Sequence, residues 1–214
     1  MYKHFFKRLI DMIFSVLALI LLALPMLVIA IVTKMDSQGP IFITQERVGL
    51  HKKNFKILKF RSLPLSAPKD TPTHLLVKER VTLTRWQRFM RKSSIDELPQ
   101  FVCIFLGKMS LIGPRPALWN QYDLLEERDK YGANDIKPGL TGWAQIHGRD
   151  ELDIPTKAAL DGEYTQALTA GRCKGFVMDA KCFWGSILPV LRSEGVADLH
   201  GAEQKNTSFE EKQE

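Results

Sequence analysis

Between Met12 and Val32 the chain runs for 21 residues without a charge, interrupted only by Pro25. A straight helix of that length reaches ~31 Å at ~1.5 Å per residue, about the thickness of bilayer hydrocarbon. The run exceeds the ~7–15 residue core of a cleaved signal peptide. No second uncharged run of ~18 residues follows, so no further span is expected. Lys3, Lys7 and Arg8 precede the segment, and Lys34, Arg47, Lys52, Lys53, Lys56 and Lys59 follow it. Positive charge on both flanks gives no orientation by the positive-inside rule. Two geometries remain: a helix that enters one leaflet and returns with both flanks cytosolic, or an ordinary single span. Pro25 suits the first, since it lacks an N–H and its ring clashes with the Leu21 carbonyl.

Beyond Lys34 there is enough chain for one domain with its own core. A net charge of +6 and a pI near 9.2 suggest anionic partners such as lipid headgroups, phosphorylated substrates or nucleic acid. The basic residues are dispersed and do not alternate with stacking aromatics, which argues against nucleic acid. Cys103, Cys173 and Cys182 are odd in number and form no C-x-x-C pair. Free thiols in a reducing compartment are therefore expected, with the domain facing the cytosol.

Along the chain, Asp36–Pro40 reads as a turn that ends the apolar segment. Ile41–Thr44 and Phe55–Phe60 read as short strands, and Ser62–Thr73, with three prolines, as a loop. Trp86–Lys92 is predicted helical. A second helix is expected after Ser94, with Leu98, Phe101, Val102 and Phe105 on its apolar face and Gly107 ending it. A polar helix is expected over about 119–130, a short strand closing at Gly148-Arg149, and a helix near 157–166. In the last helix Phe176, Val177, Ala180, Phe183, Trp184, Ile187, Leu188 and Leu191 form one apolar stripe. Such a stripe is most often core packing; the alternative is an interfacial helix with aromatics at the headgroups. From Ser193 onward the composition reads as a polar, disordered tail.

Asp96-Glu97 is the most suggestive pair. Adjacent carboxylates can act as nucleophile and base, or hold a divalent cation beside a phosphate. Ser94-x-x-Glu97 also matches a capping box, and acids favour helix starts. Pro99 weakens that second reading, because in a helix capped by Ser94 it would fall where an N–H is needed. Asp96 is itself a possible cap. Arg115 lies between Pro114 and Pro116, which pre-set its backbone; it is either a phosphate clamp or part of a stiff surface turn. Lys56, Lys59 and Arg61, and then Arg91-Lys92, form further cationic clusters that are commonly solvated faces. Asp179 sits at the edge of the last apolar stripe, where an acid wants a partner. The five histidines show no ligand spacing.

Taken together, the segments Gln45–Gly49, Phe55–Arg61, Arg91–Gln100, Met109–Pro116 and Lys137–Gln145 with Gly148-Arg149, after a Lys7-Arg8-x-x-Asp11 start, resemble the monotopic phosphoglycosyl transferases. The resemblance runs nearly the whole length, and the absence of added spans or an appended domain suggests that family's minimal form. It implies transfer of a sugar-1-phosphate from a UDP-sugar to polyprenyl phosphate at the cytosolic face of the bacterial inner membrane, releasing UMP. By that likeness Asp96 would attack the β-phosphorus to give an aspartyl phosphosugar, and Glu97 would help hold Mg²⁺ or manage a proton. Lys59, Arg91, Arg115 and Arg149 would neutralise phosphates, and Asp161 and Asp179 would order that cationic cluster. Lys7, Arg8 and Asp11 would belong to the root of a re-entrant helix that sits among membrane phospholipids. Such helices break at a Ser-Pro pair; here the pair is Leu24-Pro25, so a hydrogen bond to the freed backbone must come from elsewhere, with Ser15 or lipid headgroups the candidates.

The expected fold is α+β: a re-entrant membrane helix over 1–35, a cytosolic catalytic domain with amphipathic surface helices and a small sheet over 36–195, and a tail over 196–214. The rival reading is an inert membrane-anchored scaffold of an envelope-assembly complex, which would not need both acids of the pair.

Overall fold

The computed structural model describes residues 2–68, 81–148 and 151–192. After a single π-turn at Tyr2–Phe6, α1 spans Lys7–Leu21 and α2 spans Ala23–Asp36, and the two meet at 60°. No single helix is long and apolar enough to cross a membrane, although this bent pair passes the test of length and composition. The break falls at Leu22. Pro25 is the third residue of α2, where a missing N–H is tolerated but cannot bond back to the Leu21 carbonyl.

This pair is inside out relative to a helix of an ordinary soluble core. On α1 the buried side chains are Lys7, Asp11 and Ser15, one turn apart, and on α2 Ile29 and Thr33. The apolar residues face outward: Leu21 is 75% exposed at the bend and Leu24 70%. An apolar surface of this extent marks contact with lipid or another protein. Ser15 donates to the Met12 carbonyl at 2.9 Å, one turn back, and so does not serve the bend as expected.

β1 (Phe42–Val48) and β2 (Asn54–Phe60) form an antiparallel hairpin pairing Phe42 with Phe60 and Val48 with Asn54, three residues longer in β1 than its composition suggested. α3 (Arg85–Ser93) is capped by Thr84 in a complete capping box with Gln87, and Thr84 Oγ1 also donates to Asp36 at the end of α2. The single helix expected after Ser94 is instead a 3₁₀ turn, Ile95–Glu97, followed by the short α4, Gln100–Phe105. Pro99 enforces the division by standing just before α4. The buried side of α4 is Gln100, Cys103 and Ile104, whereas Phe105 is exposed; the expected apolar face was off by a turn edge.

β3 (Ser110–Ile112) and β4 (Gly139–Thr141) pair in parallel, so one small sheet was expected and two two-stranded sheets are found. α5 covers Tyr122–Asp129, and α6 is the short Trp143–Ile146 where a strand was expected. α7 (Ile154–Thr169) packs on α8 (Arg172–Arg192). Only part of the α8 stripe is core. Phe176, Val177, Trp184 and Ile187 are exposed, and Asp179 and Cys182 are the buried side. The three cysteines are free. The proposed tail lies outside the described residues, as does residues 69–80 of the proline-rich loop.

Candidate active site

The pair Asp96-Glu97 sits on the 3₁₀ turn between α3 and α4, and both residues are buried. Ser94 adopts a left-handed conformation (φ 57°) and provides no side-chain cap, so the capping-box reading of these acids does not hold. Their carboxylates go elsewhere. Ser62 Oγ donates to Asp96 Oδ2 at 2.7 Å. Lys59 Nζ donates to Glu97 Oε1 at 2.9 Å, and Arg115 grips Glu97 through both terminal nitrogens, at 2.7 Å to Oε1 and 3.2 Å to Oε2. That two-point grip uses the planar fork that only arginine offers.

The electrostatics of the two partners run against their charges. Burial, with the neighbouring Glu97 carboxylate adding to it, raises the Asp96 carboxyl above its ordinary range against the pull of Lys59, Ser62 and Arg91. Burial likewise lowers the Lys59 ammonium, opposed mainly by Glu97. A carboxylate that is costly to ionise, held among cations that favour its ionised form, is a poised nucleophile or base.

The Arg115 loop is built by glycines. Gly113 N–H donates to the Thr141 carbonyl at 2.8 Å, and Gly139 N–H to the Pro114 carbonyl at 2.8 Å. A Cβ on Gly139 would stand 2.1 Å from Gly113 N, and one on Gly142 2.1 Å from the Gly113 carbonyl oxygen. The motifs Gly113–Pro116 and Lys137–Trp143 are thus one device, brought together through β3 and β4. Two further arginines hold the loop by its carbonyls: Arg47 Nη1 donates to Pro116 O at 3.0 Å, and Arg128 Nη2 to Arg115 O at 3.0 Å. Arg128 is fixed in turn by Asp161, with contacts of 2.8 and 2.6 Å to Oδ2, in a pair almost wholly buried.

Of the residues singled out from the sequence, the structure gathers Asp96, Glu97, Lys59 and Arg115 directly, with Arg91 on α3 close enough to act on the Asp96 charge. Asp161 joins through Arg128. Asp179 does not join this set: it accepts from Lys7 Nζ at 2.7 Å, Tyr2 Oη at 2.6 Å and Tyr164 Oη at 2.7 Å. It therefore fastens the root of α1, where Asp11 accepts the Leu111 N–H at 2.9 Å and Arg8 donates to the carbonyls of Ile104 and Phe105 at the end of α4. Arg149 lies outside the described residues. Sequence reading passed over Ser62, Arg128 and Arg47. Only the clustering of Gly and Pro in two distant motifs hinted that something must hold that loop.

Among the described residues, no group of three His, Cys, Asp or Glu side chains is gathered for a metal. Two adjacent carboxylates do fit Mg²⁺ bound in its usual manner, by one or two carboxylates completed with substrate phosphates and water.

Comparison with known proteins agrees with the geometry. The family described as bacterial sugar transferase matches residues 2–193. The chain is 36% identical over 190 residues to the uncharacterized sugar transferase EpsL of Bacillus subtilis (strain 168), covering 89% of each protein. It is 38% identical over 155 residues to the UDP-glucose:undecaprenyl-phosphate glucose-1-phosphate transferase of Escherichia coli (strain K12), covering 71% of this chain and 33% of that one. It is 32% identical over 183 residues to the undecaprenyl-phosphate galactose phosphotransferase of Salmonella typhimurium, covering 78% and 38%. The chain thus matches nearly the full length of EpsL and only 33% and 38% of the two larger enzymes. With the match running from the root of α1 to the end of α8, the chain belongs to the bacterial sugar transferase family.

Proposed function

We propose that the chain transfers a sugar-1-phosphate from a UDP-sugar to a polyprenyl phosphate at the cytosolic face of the membrane, through a covalent intermediate on Asp96. The observation that carries this is the buried Asp96-Glu97 turn, with Lys59 and Arg115 on Glu97, standing beside an apolar helix pair that exposes its apolar side. The relatives' names supply the substrate class, and the glucose and galactose enzymes among them leave the sugar to experiment.

In the first step an Asp96 carboxylate oxygen attacks the β-phosphorus of the UDP-sugar. The bond from that phosphorus to the bridging oxygen breaks, UMP leaves with the electron pair, and an acyl phosphosugar remains. In the second step an oxygen of the polyprenyl phosphate attacks the same phosphorus, giving polyprenyl-diphosphate-sugar and returning the Asp96 carboxylate. Charge spreads over phosphate oxygens in both steps, so positioned cations supply much of the acceleration. Arg115, presented by its clamped loop, and Lys59 are placed for this, with Arg91 nearby. Glu97 orients both cations. Mg²⁺, held by Asp96 and Glu97 with the diphosphate, would neutralise charge on the leaving UMP. The α1–α2 pair dips into one leaflet and returns, and the exposed aromatics of α8 lie at the headgroups, so that lipid acceptor and soluble donor meet at Asp96.

The test is UMP release by detergent-solubilised protein given polyprenyl phosphate, Mg²⁺ and a panel of UDP-sugars. Release that requires the lipid, the metal and Asp96 supports the reaction. With donor alone, denatured wild-type protein should carry the mass of one phosphosugar and Asp96→Asn none. Silence across the panel from folded protein would favour the inert scaffold.

A further inference from the structure

Residues 59–62 leave β2 and touch four different parts of the molecule in succession. Lys59 binds Glu97. Phe60 is wholly buried in a core with Ile29 of α2 and Met90 of α3, against which Ile95 of the dyad turn also packs. Arg61, 2% exposed, places its guanidinium on the exit of α2: it donates to the carbonyl of Gln38, to Ser37 O at 2.6 Å and Ser37 Oγ at 3.0 Å, and to Thr33 O at 3.4 Å. Ser62 is 3% exposed and donates to Asp96 Oδ2. Gly39 completes the fit, since a Cβ there would stand 2.0 Å from Arg61 Nη1.

From this arrangement we propose that Ser62 is a positioning residue for the Asp96 nucleophile, and that Arg61 fixes Ser62 by tying it to the exit of the membrane helix pair. The proposal rests on the reading of Asp96 given above. A carboxylate can attack through either oxygen. The Ser62 hydroxyl occupies Oδ2 and gives Oδ1 no competitor among the described residues, so Oδ1 is the attacking atom. Arg61 has no acidic partner among the described residues; its charge is spent on the carbonyls that end α2, where a cation is favoured. Because Arg61 and Ser62 are adjacent, a shift of the α2 exit is passed to the nucleophile through one peptide unit.

The experiment is kcat and donor KM for UMP release, measured on full-length wild type, Ser62→Ala, Ser62→Thr, Arg61→Lys and Asp96→Asn, each checked by thermal melt. Ser62→Ala is expected to lower kcat about tenfold, the scale of one hydrogen bond to a charged group, with donor KM unchanged. Ser62→Thr, which keeps the hydroxyl, should return kcat to near the wild-type value. Arg61→Lys keeps the charge but cannot span several carbonyls, and should lower kcat in the same way, with donor KM again unchanged. A wild-type kcat in Ser62→Ala, or a loss that Ser62→Thr does not restore, overturns the assignment of Ser62; a wild-type kcat in Arg61→Lys overturns the role of Arg61. Activity surviving in Asp96→Asn would instead remove the reading of the dyad on which the proposal stands. An inactive Asp96→Asn beside a fully active Ser62→Ala removes the proposal alone.

Discussion

The molecule holds two clusters of buried charge, and they differ in what their side chains still have to give. At the root of α1, Asp179 is met by Lys7, Tyr2 and Tyr164, and Lys7 also lies 5.9 Å over the Tyr164 ring. Together these contacts fasten Tyr2 and the root of α1 to α7 and α8. At the dyad, Glu97 satisfies two cations while Asp96 takes a single hydroxyl, and the Arg115 side chain keeps 30% exposure on the same turn. Burial and charge are common to both. What separates a joint from a candidate site is a carboxylate with capacity left over, beside a cation that solvent and substrate can reach.

The largest expected effect tests that difference directly. Asp96→Asn should lower turnover by at least ~10⁴-fold, the scale of losing a nucleophile. It should leave the melting temperature unchanged or raised. The sign follows from the raised Asp96 value: the folded state keeps a proton that the unfolded state releases. Stability therefore falls as pH rises from the unfolded carboxylate value, about 3.9, through the folded one, and asparagine removes that loss. A melting temperature well below wild type at neutral pH would show that the Asp96 charge is a structural partner like Asp179.

Next come the two neutralisations that should harm folding. Asp179→Asn strands Lys7 in a nearly closed setting and is expected to cost about 3 kcal/mol, with the activity of the folded fraction retained. Glu97→Gln strands Lys59 and Arg115; since Arg115 is partly solvated, about 2–3 kcal/mol is expected, and here activity falls with it. Chemical denaturation alongside UMP release separates the two. Equal loss of turnover per folded molecule in both variants would erase the distinction between joint and site.

A smaller effect is expected from pH on the wild-type rate. In the proposed reaction only the ionised Asp96 attacks, so the rate should fall as pH is lowered through its folded value. Because burial lifts that value, the acid limb should lie above the ordinary carboxylate range. A limb at about 4 or below would mean that Lys59, Ser62 and Arg91 outweigh burial at this site.

Much of this was legible in the chain because it is written locally. The uncharged run, Pro25, the hairpin, and the Gly and Pro punctuation of Gly113–Pro116 and Lys137–Trp143 all report backbone constraints that a few neighbouring residues impose. Asp96, Glu97, Lys59 and Arg115 were named from motifs, and the structure brings those four together. What escaped depends on distance in sequence. Arg128 reaches the Arg115 carbonyl from α5 and Asp161 from α7; nothing beside Arg128 announces either bond. Asp179 was set beside the phosphate-binding cations by the family resemblance alone; its own place at a stripe edge says that an acid needs a partner but not which one, and the structure gives it Lys7, Tyr2 and Tyr164. The face of α4 was misjudged because Pro99 cut a continuous apolar pattern into two elements with different phases.

The smallest expected effect concerns Pro25 and asks whether the joint or the proline holds the bend. α1 is pinned at its root by Lys7, Arg8 and Asp11, and α2 at its exit by Arg61. Two helices fixed at their outer ends need a break somewhere between, and Leu22 provides it while Met26 N–H already bonds the Leu22 carbonyl at 2.8 Å. Pro25 lies in the first turn of α2, where alanine gains no obligatory hydrogen bond, so Pro25→Ala should change stability by less than about 1 kcal/mol. Spin labels at positions 13 and 31 should then report the same separation as in wild type. Adding Asp179→Asn should lengthen that separation in the Pro25→Ala background and leave it unchanged when Pro25 is present. Straightening by Pro25→Ala alone would give the bend to the proline, and the buried cluster at the α1 root would then hold the helix in place without shaping it.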